Sequence, residues 1–167
     1  MGLRQIRQQG DEILGKKAKI VKEITPAILT LLDDMKETMD SKDGVGIAAP
    51  QVGMLKRIVV VAHEDAFYEM INPEIIETEG TQVCNEACLS IVGLCGDIER
   101  PMKVTIKATD RNGDAYTVTG EEFMASVFCH EMDHLDGVLF TNKATNIKPL
   151  DDEEREARKE RRRRQLS

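Results

Sequence analysis

The stretch His130-Glu131-Met132-Asp133-His134 sets two imidazoles four residues apart with a carboxylate next to the first. On a helix, residues four apart share one face, so both rings could reach a single metal ion. Glu131 would lie beside them on the helix surface, where it could take a proton from water on that ion. Two of the chain's 3 histidines sit in this pattern. A helix is expected here independently, because Phe123, Val127, His130 and His134 form a continuous stripe at helical spacing. It is read from Glu121 to Leu135 and stopped by Asp136-Gly137.

Two imidazoles do not complete a catalytic site, which usually has three protein ligands and an open position for water. No histidine follows His134. Asp136 falls in the helix-ending turn, and Asp151, Asp152, Glu153 and Glu154 belong to a strongly charged tail. A cysteine thiolate is the remaining option. The residues themselves do not choose firmly among Cys84, Cys88, Cys95 and Cys129, although Cys129 immediately precedes His130 and points about 100° away around the helix.

The elements that must position this helix are legible in part. Thr25 is a good N-cap, Pro26 suits the first helical position, and Ile28, Leu31, Leu32, Met35 and Met39 recur at helical spacing up to Asp40. A small-residue segment, Gly44 to Gln51, follows. Arg57–Ala62 reads as a β-branched strand buried on both faces, and Glu69–Asn72, Glu74–Glu79, Lys103–Asp110 and Ala115–Thr119 as further strands. Arg111-Asn112-Gly113 joins the last two as a hairpin. Short strands interspersed with two core helices predict an α+β domain over 1–150, followed by a charged helical tail over 151–167.

Composition narrows the function classes. At 167 residues the chain fits one core-forming domain, and its net charge of −7 argues against nonspecific nucleic-acid binding by the whole body. No apolar run is long enough to span a bilayer, and the start lacks a signal-peptide apolar region, so the cytoplasm is the expected compartment. In that reducing compartment the 4 cysteines read as buried thiols or metal ligands rather than disulfides. Cys84, four residues before Cys88, would make a separate metal or redox pair only with support that no element supplies. His63 reads as a strand-end residue.

Three segments in order resemble the motifs of the peptide deformylase family. They are Gly44-Val45-Gly46-Ile47-Ala48-Ala49-Pro50-Gln51, then Glu86-Ala87-Cys88-Leu89-Ser90, then His130-Glu131-Met132-Asp133-His134 continued by Leu135-Asp136-Gly137. Similarity extends from about Ile6 to Phe140, including Gly10-Asp11, Ile71-Asn72-Pro73 and Arg100-Pro101. The resemblance implies small antiparallel or mixed sheets around a central helix bearing the histidine pair. It implies one divalent metal ion held by Cys88, His130 and His134, with Fe²⁺ first and Zn²⁺, Ni²⁺ or Co²⁺ accepted. The reaction implied is hydrolysis of the formyl group from N-formylmethionyl nascent peptides, with Glu131 as proton acceptor. Gln51, through its side-chain amide, and Leu89, through its N–H, would face the oxyanion. Gly44 and Gly46 would let backbone approach the substrate, Val45, Phe123 and Val127 would wall a methionine side chain, and Asp133 would pair with Arg100.

Three positions depart from the pattern: Ala87 stands where Gly is usual, Val92 where Pro is common, and Cys129 where Gln is usual. None removes an expected ligand, the base or Gln51, so an active enzyme is expected, as a monomer. The tail runs from acids, Asp151 to Glu154, to bases, Arg155, Arg158, Lys159 and Arg161 to Arg164, an order that suits a helix dipole. Asp151–Arg155, Glu154–Arg158 and Glu160–Arg164 are spaced for pairs. The tail is read either as a solvated helix or, as in the family, as a ribosome contact. Competing functions are a metallopeptidase with the same histidine device, and a metal- or ribosome-binding relative with weakened catalysis.

Overall fold

The computed structural model describes residues 2–166, with side chains described from 2 to 160. Thr25 caps α1, Pro26–Ser41, accepting the Ile28 N–H at 3.3 Å. Eight strands follow: β1 Gly46–Ala48, β2 Ile58–His63, β3 Ala66–Glu79, β4 Gln82–Cys88, β5 Ile91–Arg100, β6 Lys103–Thr109, β7 Ala115–Glu121 and β8 Thr145–Pro149. Helix α2, Phe123–Leu135, lies between β7 and β8, and α3, Asp152–Leu166, ends the chain. The fold is α+β, with antiparallel sheets in the orders β1-β2-β3-β6-β7 and β4-β5-β8.

The larger sheet is covered on both faces at β1 and β2, which is why β2 reads as an unbroken apolar run, whereas β6 and β7 alternate with one face open to solvent. Ile58 and Val60 point to one face with Ile47 and Ile71, against Ile28, Leu31, Leu32, Met35 and Met39 of α1. Val59 and Val61 point to the other with Val104 and Ile106, against Ala125, Val127, Phe128, Met132 and Leu135 of α2. Leu32, Met35 and Met39 are fully buried, each worth about 1.5–3 kcal/mol of transfer free energy. The histidine helix is thus clamped between the two sheets, with Ile91, Ile98 and Phe140 forming a smaller core beside it.

Several boundaries differ from those expected. The two strands read on either side of Pro73 are one strand, β3, whose register with β6 shifts between Ile71 and Glu74. Asn72 takes φ 52° there, and its side chain bonds both the N–H and the carbonyl of Val21. Pro73 cannot donate to the ladder, so the strand bends without ending. Helix α2 starts at Phe123 rather than Glu121, because Glu121 is still paired with Lys103 in the sheet. The hairpin of β4 and β5 was not read from sequence: Cys84, Asn85, Glu86, Gly93 and Gly96 give it little strand propensity. The Asp110–Gly113 turn is as expected, with Asp110 Oδ1 accepting the N–H groups of Asn112 and Asp114.

Candidate metal centre

The β4–β5 hairpin carries Cys88 to the face of α2 that holds the histidines. The ligand atoms of Cys88, His130 and His134 all lie within 4.8 Å of one another. Cys88 Sγ is 3.3 Å from His134 Nε2. His130 Nδ1 lies 2.8 Å from Glu86 Oε1. Burial would raise the Glu86 carboxyl, but Arg100 and His130 outweigh it and hold it below its usual range. An ionised Glu86 can only accept, so His130 donates from Nδ1, which leaves Nε2 as the nitrogen that a metal ion would take. Among the described residues Cys88 is the thiol in this group; burial pushes Cys129 up to about 11.

The donor set fits a divalent transition metal. One thiolate and two imidazoles suit Zn²⁺ or Fe²⁺ better than the all-oxygen shells of Ca²⁺ or Mg²⁺. A carboxylate behind a ligating histidine is the usual support for such a site. Burial lowers the proton affinity of both imidazoles. For His130 it is outweighed by Cys88, Glu86 and Glu131, so its pKa rises, whereas His134 is lowered further by His130 and Arg100.

Glu131 is buried, and its Oε1 has no hydrogen-bond partner among the described residues. Burial pushes its carboxyl up to about 7. A side-chain carbon at Gly46 would sit 2.6 Å from Glu131 Oε2, and one at Gly44 would sit 3.0 Å from Leu89 Cδ1. Residues 44 and 46 therefore pack directly on Leu89 and Glu131. Gln51 is buried in the short turn Ala49–Val52, its Oε1 accepting the Ala48 N–H at 2.9 Å. Its Nε2 donates to Ser90 Oγ at 3.1 Å and lies 3.7 Å from Cys88 Sγ. Val127 is buried, while Phe123 is 42% exposed, with its ring 5.2 Å from that of His63.

Behind the ligands, the Arg100 guanidinium donates to both oxygens of Glu86, at 2.8 and 2.9 Å, and to Asp133 at 2.7 Å. Glu86 and Ser90 are the two residues whose contacts were not foreseen. Both belong to the segment around Cys88, and the rule that a ligating imidazole gives its second N–H to a carboxylate could have singled out Glu86.

Residues 3–150 match the family model described as polypeptide deformylase. The chain belongs to the peptide deformylase family. It is 52% identical over 164 residues to a peptide deformylase of Acetivibrio thermocellus, covering 98% of this chain and 95% of that protein. It is 51% identical over 160 residues to one from Thermoanaerobacter pseudethanolicus, covering 96% and 99%. The crystal structure of peptide deformylase from Thermotoga maritima superposes with a TM-score of 0.83 at 38% identity, covering 86% of this chain and 98% of that one.

The departures from the deformylase motifs can now be placed. Ala87 is not among the residues at positive φ, so its methyl brings no backbone strain. Val92 is 71% exposed, next to Gly93 at φ 86°. Cys129 is buried on the sheet-facing side of α2.

Proposed function

We infer that the family's reaction, hydrolysis of the formyl group from the N-terminus of nascent peptides, runs on this chain through a divalent ion held by Cys88, His130 and His134. Bound there, such an ion acidifies water and polarises the formyl carbonyl. Glu131 takes a proton at its carboxylate and returns it to the departing amine. The Gln51 side-chain amide and the Leu89 N–H stabilise negative charge on the formyl oxygen. Glu86 holds His130 in the required tautomer, and Arg100, tied to Asp133, holds Glu86. Gly44 and Gly46 let the backbone approach the substrate, and Val45, Phe123 and Val127 receive the methionine side chain. Fe²⁺ is the resident ion of this reading, with Zn²⁺, Ni²⁺ and Co²⁺ as substitutes.

The observation that carries the reading is the meeting of one sulfur and two imidazole nitrogens beside a buried, unpartnered carboxylate oxygen. Glu131→Gln should retain the metal and lower kcat for formate release from a formyl-Met peptide by about 10²–10⁴-fold. Chelator should abolish wild-type release. Formate release that survives both treatments would overturn the assignment.

The same reading makes the protein a cytoplasmic monomer, with residues 1–150 as the catalytic domain and 151–167 as a tail that meets the ribosome. No helix among the described residues is long and apolar enough to cross a membrane. In the tail, Asp151 Oδ1 caps α3 by accepting the Glu154 N–H at 2.7 Å, and Glu154 pairs with Arg158 at 3.5 Å. Arg158 also reaches Asn85 Oδ1 on β4. The side chains of Arg161 to Arg164, and with them the Glu160–Arg164 pair, lie outside the described residues. Truncation after Leu150 should remove salt-sensitive ribosome binding.

A further inference from the structure

The segment before the first helix lies behind both loops that carry the oxyanion donors. It is an irregular strap in which Gly2, Arg4 and Ile6 are half-buried while Leu3 and Gln5 are exposed. At its start the Gly2 N–H donates to Asp34 Oδ1 at 2.7 Å and the Arg4 N–H to Thr38 Oγ1 at 2.9 Å, on the buried face of α1. At its end the Asp11 N–H donates to Gln8 O at 3.0 Å, and Asp11 caps the short turn Glu12–Gly15.

Between these anchors the side chains of Arg7, Gln8 and Gln9 are exposed, but their main chain is committed. The Arg7 N–H donates to Gln51 O at 2.7 Å, and the Gln9 N–H to Ser90 O at 2.8 Å. Two N–H groups separated by one residue, the second at the start of the Gln8–Asp11 turn, thus grip two neighbouring loops. Gln8 Nε2 adds a bond to Leu89 O at 3.1 Å. On their inner side the same loops are joined by Gln51 Nε2 donating to the buried Ser90 Oγ at 3.1 Å.

We propose that Arg7–Gln9 is a positioning strap, whose main-chain N–H groups set the spacing between the Gln51 and Leu89–Ser90 loops and thereby aim their donors at the developing oxyanion. The inference rests on the assignment of Gln51 and Leu89 as those donors. Among the described residues the strap's hydrogen bonds beyond its own segment go to Gln51, Leu89, Ser90 and Thr141 and none to the residues assigned to the methionine side chain, so its effect is expected on turnover and not on docking. A misplacement of oxyanion donors by about 1 Å costs on the order of 10²-fold in rate.

The test uses the full, metal-loaded chain and a formyl-Met peptide. Gln9→Pro deletes the N–H, and replacing residue 9 by its α-hydroxy acid counterpart exchanges the same N–H for an ester oxygen without restricting φ. Both should lower kcat by about 10–100-fold with KM held within about threefold and metal content unchanged. Gln9→Ala keeps the N–H and should restore wild-type kcat. If Gln9→Pro does not fold, the ester variant decides alone. An ester variant with wild-type kcat, or one that loses metal in step with activity, overturns the strap, as does a Gln9→Ala loss equal to that of Gln9→Pro. Gln51→Ala is measured alongside. Wild-type kcat in that variant would remove the donor assignment itself, whereas a loss there with an unaffected ester variant removes only the strap.

Discussion

Arg100 and Arg111 each hold two carboxylates, one at the metal centre and one at the far side of the larger sheet. Arg100 is 4% exposed and grips Glu86 and Asp133, whereas Arg111 is 37% exposed and grips Glu69 and Asp33 at 2.7 and 2.6 Å. The bonds are alike in number and length, and both guanidiniums are held protonated. For Arg100, burial works against the charge and Glu86 and Asp133 outweigh it. For Arg111 the bonds to Glu69 and Asp33 lead. The difference is solvent. Around Arg111 the guanidinium and Asp33 (41% exposed) are open to water, although Glu69 is only 10% exposed, and the triad staples α1 to the sheet at little net gain. Around Arg100 and Glu86, 4% and 8% exposed, water cannot, so losing one strands the other, and Glu86 is the one that orients His130.

The sharpest way to break this comparison is Arg100→Ala. It should cost about 3–5 kcal/mol of stability in urea unfolding, because Glu86 would stay buried without the guanidinium that binds both its oxygens, while the half-buried Asp133 keeps Lys143 at 3.1 Å. It should also weaken metal retention by about 10–100-fold, measured by competition with a chelator. Unchanged metal content and turnover would remove the supporting role altogether.

Asp34 lies between the two cases, buried itself but paired with an Arg4 that is 30% exposed. Burial raises its carboxyl, yet the Gly2 N–H and Arg4 outweigh that and hold it below the usual carboxylate range. A depressed folded pKa means that the contribution is complete above about pH 4 and is lost as pH falls through the folded value. Asp34→Asn should therefore cost about 1.5–3 kcal/mol at neutral pH. The unfolding midpoints of variant and wild type should converge in acid. A gap of constant size at every pH would show that charge is not what Asp34 supplies.

The smallest effect is expected from Arg111→Ala. It should cost about 1 kcal/mol or less, shrink further in high salt, and leave kcat and metal content at wild-type values. A loss as large as that of Arg100→Ala would show that solvent exposure does not separate the two triads.

Much of this was written in local spacing. The pair His130 and His134 declares a shared helical face, and Thr25-Pro26 declares where α1 begins, because each rests on interactions within a few residues. The apolar run at Ile58–Val61 announced a strand covered on both faces, which is how α1 and α2 enclose it. The ordered motifs carried the family and its α+β fold.

What the chain could not declare by itself was which sulfur meets the imidazoles and what stands behind them. Cys84, Cys88, Cys95 and Cys129 are equivalent as residue types. Only the β4–β5 pairing, a long-range contact built from weak strand formers, carries Cys88 and not the others to His134. Glu86 against His130, Glu131 against Gly46 and the strap behind Gln51 and Ser90 are likewise contacts between segments far apart in the chain. Periodicity and capping report a residue's immediate neighbours along the backbone. Desolvation, which decides what a carboxylate or a thiol can do, depends on which distant segments cover it, and that was settled only when the sheets closed over α2.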